Sequence, residues 1–501
     1  MKILPLLVIL TLHVQGDVWT NTFSREQIPT PIGVDPQIGG LDTFPDQRIA
    51  AAFHRGQVMI YNPETKEWKL YAEGLHEPLG LLIEDEKNIL VMQRPELTRL
   101  TDTDGDGVAD EYTTVYDGFG MSGNYHEFAF GPARDKNGNL FISLGVASNG
   151  AGMREEIRGE FQPIGIPRER MLAGKDWGKN KNAAGRMYSR VPYRGWIMKI
   201  APDGTATPFA AGVRSPNGIG FDADGRLFVM DNQGDWLGTS KIHHIREGAF
   251  HGHPAALVWR EGWTEDPLKT DVKKLNEMRT RAVGLMPQGE FANSPTQPIV
   301  VPAGIFKGLS GHTLIGEMNQ PTLIRFLPDP GVTDASQGAA IPFLQSNAFG
   351  NGRNRMTFTN DGSLWIGKTH LSWPGAEGFI RIRQKNPEET LFAVEAVKLQ
   401  KNGFIVTFTS PVGKDLPKGI SMKRHTYNYH QAYGSKKEDE KDVPIKVNRL
   451  DADGRIFMLE CDENQLMKDY LYSIDLRDLT SNEDTPLLGD KIYYHLISTK
   501  K

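Results

Sequence analysis

Apolar residues alternate with polar ones in short runs that recur along most of the chain. The clearest examples are Asn217–Asp231 (NGIGFDADGRLFVMD), His126–Gly145 and Arg355–Thr369 (RMTFTNDGSLWIGKT). In each, an alternating run passes through Asp-Gly or Asn-Gly into a second apolar run. This pattern is a strong signal for a β-hairpin, because the turn needs positive φ, which glycine adopts readily.

Three further segments follow the same pattern more loosely: Leu79–Gln93, Pro302–Met318 and Gly40–Tyr61. Six similar hairpins at intervals of some tens of residues indicate sheets stacked around an axis. The pattern therefore predicts an all-β protein built on a six-bladed β-propeller.

The pattern changes near the C-terminus. A polar break at Asn386–Glu389 is followed, from Leu391 to Ile497, by longer strands with few glycines. These strands predict an immunoglobulin-like β-sandwich over residues 386–501, after a propeller over residues 17–385.

The N-terminus has the features of a secretory signal peptide. Lys2 precedes an apolar stretch, Ile3–Leu12, and small residues follow near Gly16. We expect residues 1–16 to be removed and the mature protein to be periplasmic or secreted. No other apolar run approaches the roughly 20 residues that a membrane span needs, so no membrane span is expected.

Composition excludes some functions. The net charge of the 501 residues is -5, which gives no general electrostatic case for binding nucleic acid. Cys461 is the only cysteine, so neither an intramolecular disulfide nor a Cys-x-x-Cys-His haem site is possible.

Two long insertions interrupt the hairpins. Residues 146–196 are rich in Lys and Arg, and residues 235–300 contain Trp236, Trp259 and Trp263. Loops between blades collect at one face of a propeller, where a rigid scaffold carries binding residues. A basic, aromatic-bearing face suits an anionic or carbohydrate ligand, and solubilising surface charge is an equal alternative.

The strongest metal signal is the acidic loop DTDGDGVAD. Its carboxylates at Asp102, Asp104, Asp106 and Asp110, with the Val108 carbonyl, could wrap a hard cation with oxygen ligands. The twelfth position of an EF-hand loop is Thr113 rather than Glu, so the loop predicts a structural calcium clip, with a metal-free acidic turn as the alternative.

A histidine cluster, KIHHIREGAFHGHP, follows later. His251 and His253, with His243 or His244, could bind a transition metal in a hydrolase or lyase. The alternative, which we favour, is that FHGHP is a tight strand end.

Several motifs resemble one known family. DTDGDGVADE, YRGWIMKIAPDG, RSPNGIGF, DNQGDW and FHGHPA occur in this order. From about Gly39 to Ile382 the chain resembles the soluble glucose/sorbosone dehydrogenases, and most closely the secreted sorbosone-dehydrogenase-like proteins of planctomycetes and relatives. That family consists of six-bladed propellers that use pyrroloquinoline quinone and calcium.

The resemblance implies roles for individual residues. His126, in HEFAFGP, would be the base that takes the substrate hydroxyl proton, and Arg214 would stabilise charge on the quinone oxygen. Arg214 and Asn217 would lie at the cofactor. The family's calcium-binding loop corresponds to Asp231–Asp235, which assigns Gly234 and Asp235 to the cofactor. Arg353 and Arg355 would hold its carboxylates.

The chain departs from the family at three places. The calcium loop reads Asp-Asn-Gln-Gly-Asp instead of acidic-Gly-Pro, Val146 replaces an acidic residue after the second blade strand, and an expected lysine is missing near Glu317. The first hypothesis is thus an exported quinone-dependent sugar oxidoreductase with a separate electron acceptor. The alternatives are a non-redox carbohydrate-binding propeller and the metal-dependent hydrolase or lyase.

Overall fold

The computed structural model describes residues 17–148, 154–160, 162, 186–330, 337–371 and 374–499. The predicted signal peptide and residues 163–185 of the basic insertion lie outside the described residues. The described chain consists of strands and turns, with two short α-helices, α1 (Val18–Thr22) and α2 (Val272–Met278), and 3-10 turns at Pro254–Trp259, Asn347–Phe349 and Glu463–Gln465. No helix in this part of the chain is long and apolar enough to cross a membrane.

Strand β1 (Phe23–Ile28) precedes three sheets of four antiparallel strands each. The first sheet contains β2 (Ile38–Thr43), β3 (Ile49–Phe53), β4 (Val58–Asn62) and β5 (Glu67–Ala72). The second contains β6 (Gly80–Ile83), β7 (Asn88–Met92), β8 (Leu97–Thr101) and β9 (Glu111–Tyr116). After β10 (Met121–Ser122) the third contains β11 (Ala129–Arg134), β12 (Leu140–Leu144), β14 (Trp196–Ile200) and β15 (Ala206–Ala211), while β13 (Glu156–Arg158) pairs with β10.

Three more sheets continue the series. The fourth contains β16 (Gly218–Phe221), β17 (Leu227–Asp231), β19 (Ser240–His244) and β20 (Gly284–Met286), with β18 (Trp236–Leu237) outside it. The fifth contains β21 (Pro295–Val300), β22 (Thr313–Glu317), β23 (Leu323–Pro328) and β24 (Gly338–Phe343). The sixth contains β25 (Arg353–Phe358), β26 (Ser363–Lys368) and β27 (Gly378–Gln384), and β1 is its fourth strand.

The six sheets form a closed ring. The first strand of each sheet contacts the first strand of the next, and β25 of the sixth contacts β2 of the first. Strand β1 pairs antiparallel with β27 from Phe23↔Gln384 to Ile28↔Phe379, so the N-terminal strand completes the last blade. The predicted six-bladed β-propeller is confirmed, and each sheet is a blade.

Aromatic packing joins the blades at the closure. Trp365 of blade six stacks on Phe379 and meets Tyr61 of blade one edge to face, with all three side chains buried. Rings of this size bury large apolar areas, and their contact geometry adds to the gain from burial. The ring is therefore held by side chains as well as by the β1–β27 pairing.

Four of the six sequence hairpins correspond to the first two strands of a blade, and two differ. Gly40–Tyr61 runs through three strands, β2 to β4. Pro302–Met318 includes only β22 of blade five, because β21 lies upstream at Pro295–Val300. Strand β21 contains two prolines, Pro295 and Pro298. Because proline is rare within sheets, the sequence pattern does not predict a strand there.

The C-terminal strands form two facing four-stranded layers. One has the order β28 (Val394–Gln400), β29 (Gly403–Phe408), β34 (Ile456–Glu460), β33 (Lys446–Arg449). The other has the order β36 (Lys491–Leu496), β35 (Tyr470–Asp475), β30 (Ser421–Thr426), β32 (Glu438–Val443). Strand β31 (Tyr429–His430) lies outside both and pairs with β18. Side chains of both layers share one apolar core, in which Phe404 packs against Tyr472 and Tyr494. The immunoglobulin-like assignment stays a prediction.

The sandwich is joined to the propeller by continuous strand pairing. Strand β24 of blade five pairs with β36 at Gly338↔His495, Ala339↔Tyr494 and Ala340↔Tyr493. The sandwich layer that contains β36 thus extends the sheet of blade five. The two parts of the chain on either side of the predicted boundary at residue 385 are therefore joined by backbone hydrogen bonds.

Candidate functional site

A cavity of about 170 Å³ opens at the propeller face where the first strands of the blades begin. Its lining comes from blades two to six and from Tyr433 of the C-terminal part. Amide and hydroxyl side chains are numerous, among them Asn217, Asn232, Asn293 and Ser294. Pockets of this kind, with polar groups converging from a rigid scaffold, are typical ligand sites.

His126 lines this cavity. The residue lies in the turn before β11, which begins at Ala129, so it precedes the strand rather than starting it. The residue is exposed, although protein atoms surround much of its ring. Their desolvation, and then the positive charges of Arg214 and Arg94, lower the pKa of His126 below its ordinary value. The imidazole is therefore held in the neutral form, which can accept a proton.

Arg214 lines the same cavity. Its backbone N–H donates to Asp231 Oδ2 (3.1 Å), which fixes the turn that carries it. Its guanidinium contacts Met187 Sδ (3.4 Å) and lies 5.8 Å from the centre of the Tyr433 ring. Among the described residues it forms no ion pair, so its N–H groups can meet an anionic ligand.

Asn217 connects the cavity to the propeller axis. Its Nδ2 contacts Met318 Sδ (3.2 Å), and its Oδ1 accepts a hydrogen bond from Arg355 Nη2 (3.3 Å). Arg355 lies beneath the cavity floor and also donates to the carbonyls of Gly39 and Leu79. Arg355 thus ties together the starts of blades one, two, four and six and does not line the cavity.

Arg353 also lies away from the cavity. It is fully buried, and its guanidinium donates to the carbonyls of Gly350 (3.0 Å), Leu344 (2.9 Å) and Ser346 (3.3 Å). Arg353 and Arg355, which the resemblance assigns to the cofactor carboxylates, are not among the described residues that line this cavity, and both donate to backbone carbonyls. Their cofactor role stays a prediction.

The segment from Asp231 to Asp235 carries its two carboxylates inward. Asp231 accepts from the N–H of Arg214 and Ser215 and lies 3.4 Å from Lys241 Nζ. Burial alone would raise the pKa of Asp231, but Lys241 and then His243 offset it and hold the pKa well below its ordinary value. Asp235 Oδ1 is 2.8 Å from His253 Nε2, and the side chain is buried.

Gly234 and Asp235, expected at the cofactor, are not among the described residues that line the cavity, and their cofactor role stays a prediction. Gly234 packs directly against the Arg214 side chain, where an added Cβ would lie 3.0 Å from Arg214 Cδ. Asp235 is committed to His253 and does not line the cavity. The segment contacts the backbone and the side chain of Arg214, and neither of its two carboxylates lines the cavity.

The histidine cluster splits into separate contacts. The His243 and His251 rings pack together with centroids 4.7 Å apart, while His253 pairs with Asp235. In the described part of the chain, the only group of three or more His, Cys, Asp or Glu ligand atoms close enough for one metal ion is Asp102, Asp104 and Asp106. Among the described residues the three histidines do not form such a group, and the strand-end interpretation stays the favoured prediction.

The acidic loop lies in the β8–β9 turn at the outer edge of blade two. Asp102 accepts from the N–H groups of Gly105 (2.7 Å) and Gly107 (2.9 Å), which curls the loop. Asp104 and Asp106 are exposed beside it. Asp110 instead accepts from Thr103 Oγ1 and lies outside the group, so the geometry joins three of the four predicted carboxylates. The exposed Val108 donates its N–H to Asp106 Oδ1 (2.8 Å).

Sequence analysis assigned no specific role to Met187 and Met318, placed Arg186 only within the basic insertion, and favoured a core or strand-edge role for Tyr433 over stacking on a sugar ring. Arg186 and Met187 come from the basic insertion, Met318 follows β22, and Tyr433 comes from the C-terminal part. Glu317 accepts the N–H groups of Asn293 (2.7 Å), Ser294 and Asn319 and so shapes the blade-five wall. The available signal was the segment from Glu317 to Gln320, where a lysine expected from the resemblance is missing.

The chemistry of the lining can be compared with what a quinone site needs. Arg214 can meet a carboxylate or a quinone oxygen, and the amide side chains can hydrogen-bond around the rings. The described lining residues include no Asp or Glu, so a calcium ion inside the cavity would lack carboxylate ligands. The site fits an anionic organic ligand, and a calcium ion there would depend on amide and backbone carbonyl oxygens, which calcium also accepts.

Comparison with known protein families gives one match. Residues 64–205 match a family described as a domain of unknown function (DUF7133). No curated protein sequence matches the chain.

Solved structures of similar fold include three sugar dehydrogenases. A glucose dehydrogenase shares 13% identity over 72% of this chain and 100% of its own, with a TM-score of 0.48. The quinone-bound aldose sugar dehydrogenase of Streptomyces coelicolor shares 13% sequence identity, and the match covers 72% of this chain and 98% of that one, with a TM-score of 0.47. The quinone domain of the pyranose dehydrogenase of Coprinopsis cinerea shares 10% sequence identity, and the match covers 73% of this chain and 96% of that one, with a TM-score of 0.47. With TM-scores under 0.5 these likenesses carry no argument about this chain, so the reaction has to be inferred from the chain's own residues.

Proposed function

We propose that the protein is an exported quinoprotein-like oxidoreductase that oxidises a sugar or sugar-derived alcohol or aldehyde. The observation that carries this proposal is the meeting of His126, Arg214 and Asn217 in one cavity. His126 lies in the loop before β11, and Arg214 and Asn217 share the loop between β15 and β16. The three match the positions at which the resembled family keeps its base and its cofactor contacts. Export rests on the signal-peptide pattern of residues 1–16.

Pyrroloquinoline quinone, when bound, supplies the acceptor for a hydride from the substrate carbon. Arg214 would bind the cofactor's negatively charged oxygens and stabilise charge that develops there, because its guanidinium meets no carboxylate among the described residues. His126 would take the substrate hydroxyl proton on a ring nitrogen, since its lowered pKa keeps it neutral. Asn217 and neighbouring amides would orient the ligands. Electrons would leave through a separate acceptor, because the chain has no haem motif.

A second function is favoured by one observation. The described cavity lining is rich in amides and hydroxyls and contains no carboxylate, which suits binding of a carbohydrate without chemistry. This non-redox carbohydrate-binding propeller is the alternative.

We also propose a structural calcium ion at Asp102, Asp104 and Asp106. The support is the closeness of their carboxylates, which can offer oxygen ligands to one hard cation. This ion would stabilise the edge of blade two and take no part in the reaction.

The decisive experiment titrates the purified mature protein with pyrroloquinoline quinone, then follows dye reduction with a panel of sugars. We expect a saturable absorbance change and sugar-dependent reduction. Sugar binding without any quinone binding would favour the non-redox alternative. Absence of both would refute the two proposals together.

A further inference from the structure

The loop between β30 and β32, residues 427–437, leaves the sandwich and lies on blade four. Its strand β31 pairs with β18 at Trp236↔His430 and Leu237↔Tyr429. The Gly434 N–H donates to the Gly234 carbonyl (2.9 Å), and the Ser435 N–H donates to the Gly238 carbonyl (3.0 Å). These contacts fix the β30–β32 loop at the rim of the cavity.

Side-chain packing adds to this attachment. The Tyr429 hydroxyl donates to the Gly252 carbonyl (2.5 Å), and its ring lies 5.5 Å from that of Trp236. Both rings are buried, at 9% and 1% exposure. Burial of two large aromatic side chains makes this a packed interface rather than a chance approach of a surface loop.

The docked loop places the half-buried ring of Tyr433 in the cavity wall. The guanidinium groups of Arg186 and Arg214 lie 4.9 and 5.8 Å from the ring centre. The Tyr433 hydroxyl lies 3.5 Å from the Gln233 carbonyl, a weak contact that leaves the ring itself as the main feature. Because both guanidinium groups lie over the ring, cation–π contacts hold Tyr433 rigidly, and the part of its surface that lines the cavity can meet a ligand.

We propose that Tyr433 is a positioning residue for the sugar and that the β30–β32 loop is a wall of the binding site. The C-terminal part of the chain then sets substrate specificity, although it lies outside the propeller. The assignment of a sugar as the ligand rests on the proposed function. The position of the β30–β32 loop in the cavity wall does not depend on that function.

The ring is tested by Tyr433→Ala and Tyr433→Phe. Loss of the ring should raise KM for the sugar about tenfold while kcat stays within about twofold, because ground-state and transition-state contacts are lost equally. Tyr433→Phe keeps the ring and should restore KM. An unchanged KM in Tyr433→Ala, in an enzyme that turns over, would overturn the positioning role.

The wall is tested separately with Gly238→Ala. A Cβ at Gly238 would lie 2.1 Å from the Ser435 nitrogen, so the substitution should lift the loop without changing a lining residue. Gly419→Ala is the matched control, because a Cβ there meets nothing within 4 Å.

Amide hydrogen exchange measures whether the β30–β32 loop stays docked, and the measurement needs no ligand. The Gly434 and Ser435 amides should be protected in the unmodified protein and in Gly419→Ala, and exposed in Gly238→Ala. Protection combined with absent quinone turnover would refute the proposed redox function and support the wall. Fast exchange of both amides in the unmodified protein would refute the wall, whether or not the enzyme turns over.

Discussion

At the scale of single residues, the site depends on which charges remain available. Arg214 keeps its guanidinium in the cavity, whereas Arg353 and Arg355 donate to backbone carbonyls. A buried guanidinium that satisfies carbonyl oxygens stabilises the fold. Three arginines that look equivalent in sequence therefore have different surroundings.

His126 is expected to be the proton acceptor. His126→Ala should lower kcat by about a hundredfold or more, the range for loss of a general base, while quinone affinity stays within a few-fold. His76→Ala, at an exposed histidine on the same propeller, should have no effect. Steady-state kinetics and quinone titration of both variants provide the check, and unchanged turnover in His126→Ala would remove the residue as base.

The charge of Arg214 should appear in the pH dependence. Burial and then Arg214 lower the pKa of His126, so the neutral base persists to lower pH than for an ordinary histidine. Arg214→Gln removes that positive charge and should raise the pKa. The acid limb of kcat/KM against pH should move to higher pH, on top of any loss of rate. An unmoved limb would show that His126 does not control it.

Arg353 is expected to act on stability. Arg353→Met leaves three buried carbonyls without donors and should lower the free energy of unfolding by roughly 3 kcal/mol. The exposed Arg383→Met should change it by less than about 0.5 kcal/mol. Urea unfolding measures both, and equal values would contradict the structural role of Arg353.

At the scale of elements, the acidic β8–β9 turn is where local sequence and local structure agree best. Adding calcium should raise the unfolding midpoint, because an ion that binds only the folded turn stabilises it. Asp104→Ala with Asp106→Ala should abolish this gain, of roughly 5 °C, and change little in chelator.

The control for the turn removes the same charge elsewhere. Asp415→Ala with Asp453→Ala alters two exposed carboxylates in the sandwich and should keep the calcium response. Scanning calorimetry with calcium or chelator compares the two double variants. A calcium response that survives in the Asp104/Asp106 variant would argue against the ion.

At the scale of the whole molecule, the propeller and sandwich are expected to unfold together. The β24–β36 pairing is reinforced by the Tyr493 ring, which stacks on Phe291 with centroids 4.5 Å apart. Separating the two parts would expose this stack and the edge of blade five. Calorimetry should therefore show a single cooperative transition, and two well-separated transitions would indicate independent domains.

Much of the architecture could be predicted because its signals are local. Asp-Gly and Asn-Gly turns define hairpins within some fifteen residues, and repetition of the hairpin implies the ring. Strand β21 was not predicted, because its two prolines contradict the usual strand pattern. Strand β1 was not predicted, because its partner β27 lies at the other end of the propeller sequence.

The sequence by itself determined the blades, the acidic turn, and the candidates His126, Arg214 and Asn217. Only the tertiary structure decided that Arg353, Arg355 and Asp235 point away from the cavity and that Tyr433 enters it. The reason is physical: a hairpin forms from neighbours in the chain, whereas the partner of a buried charge or an aromatic wall comes from distant segments that meet only when the ring closes and the sandwich docks.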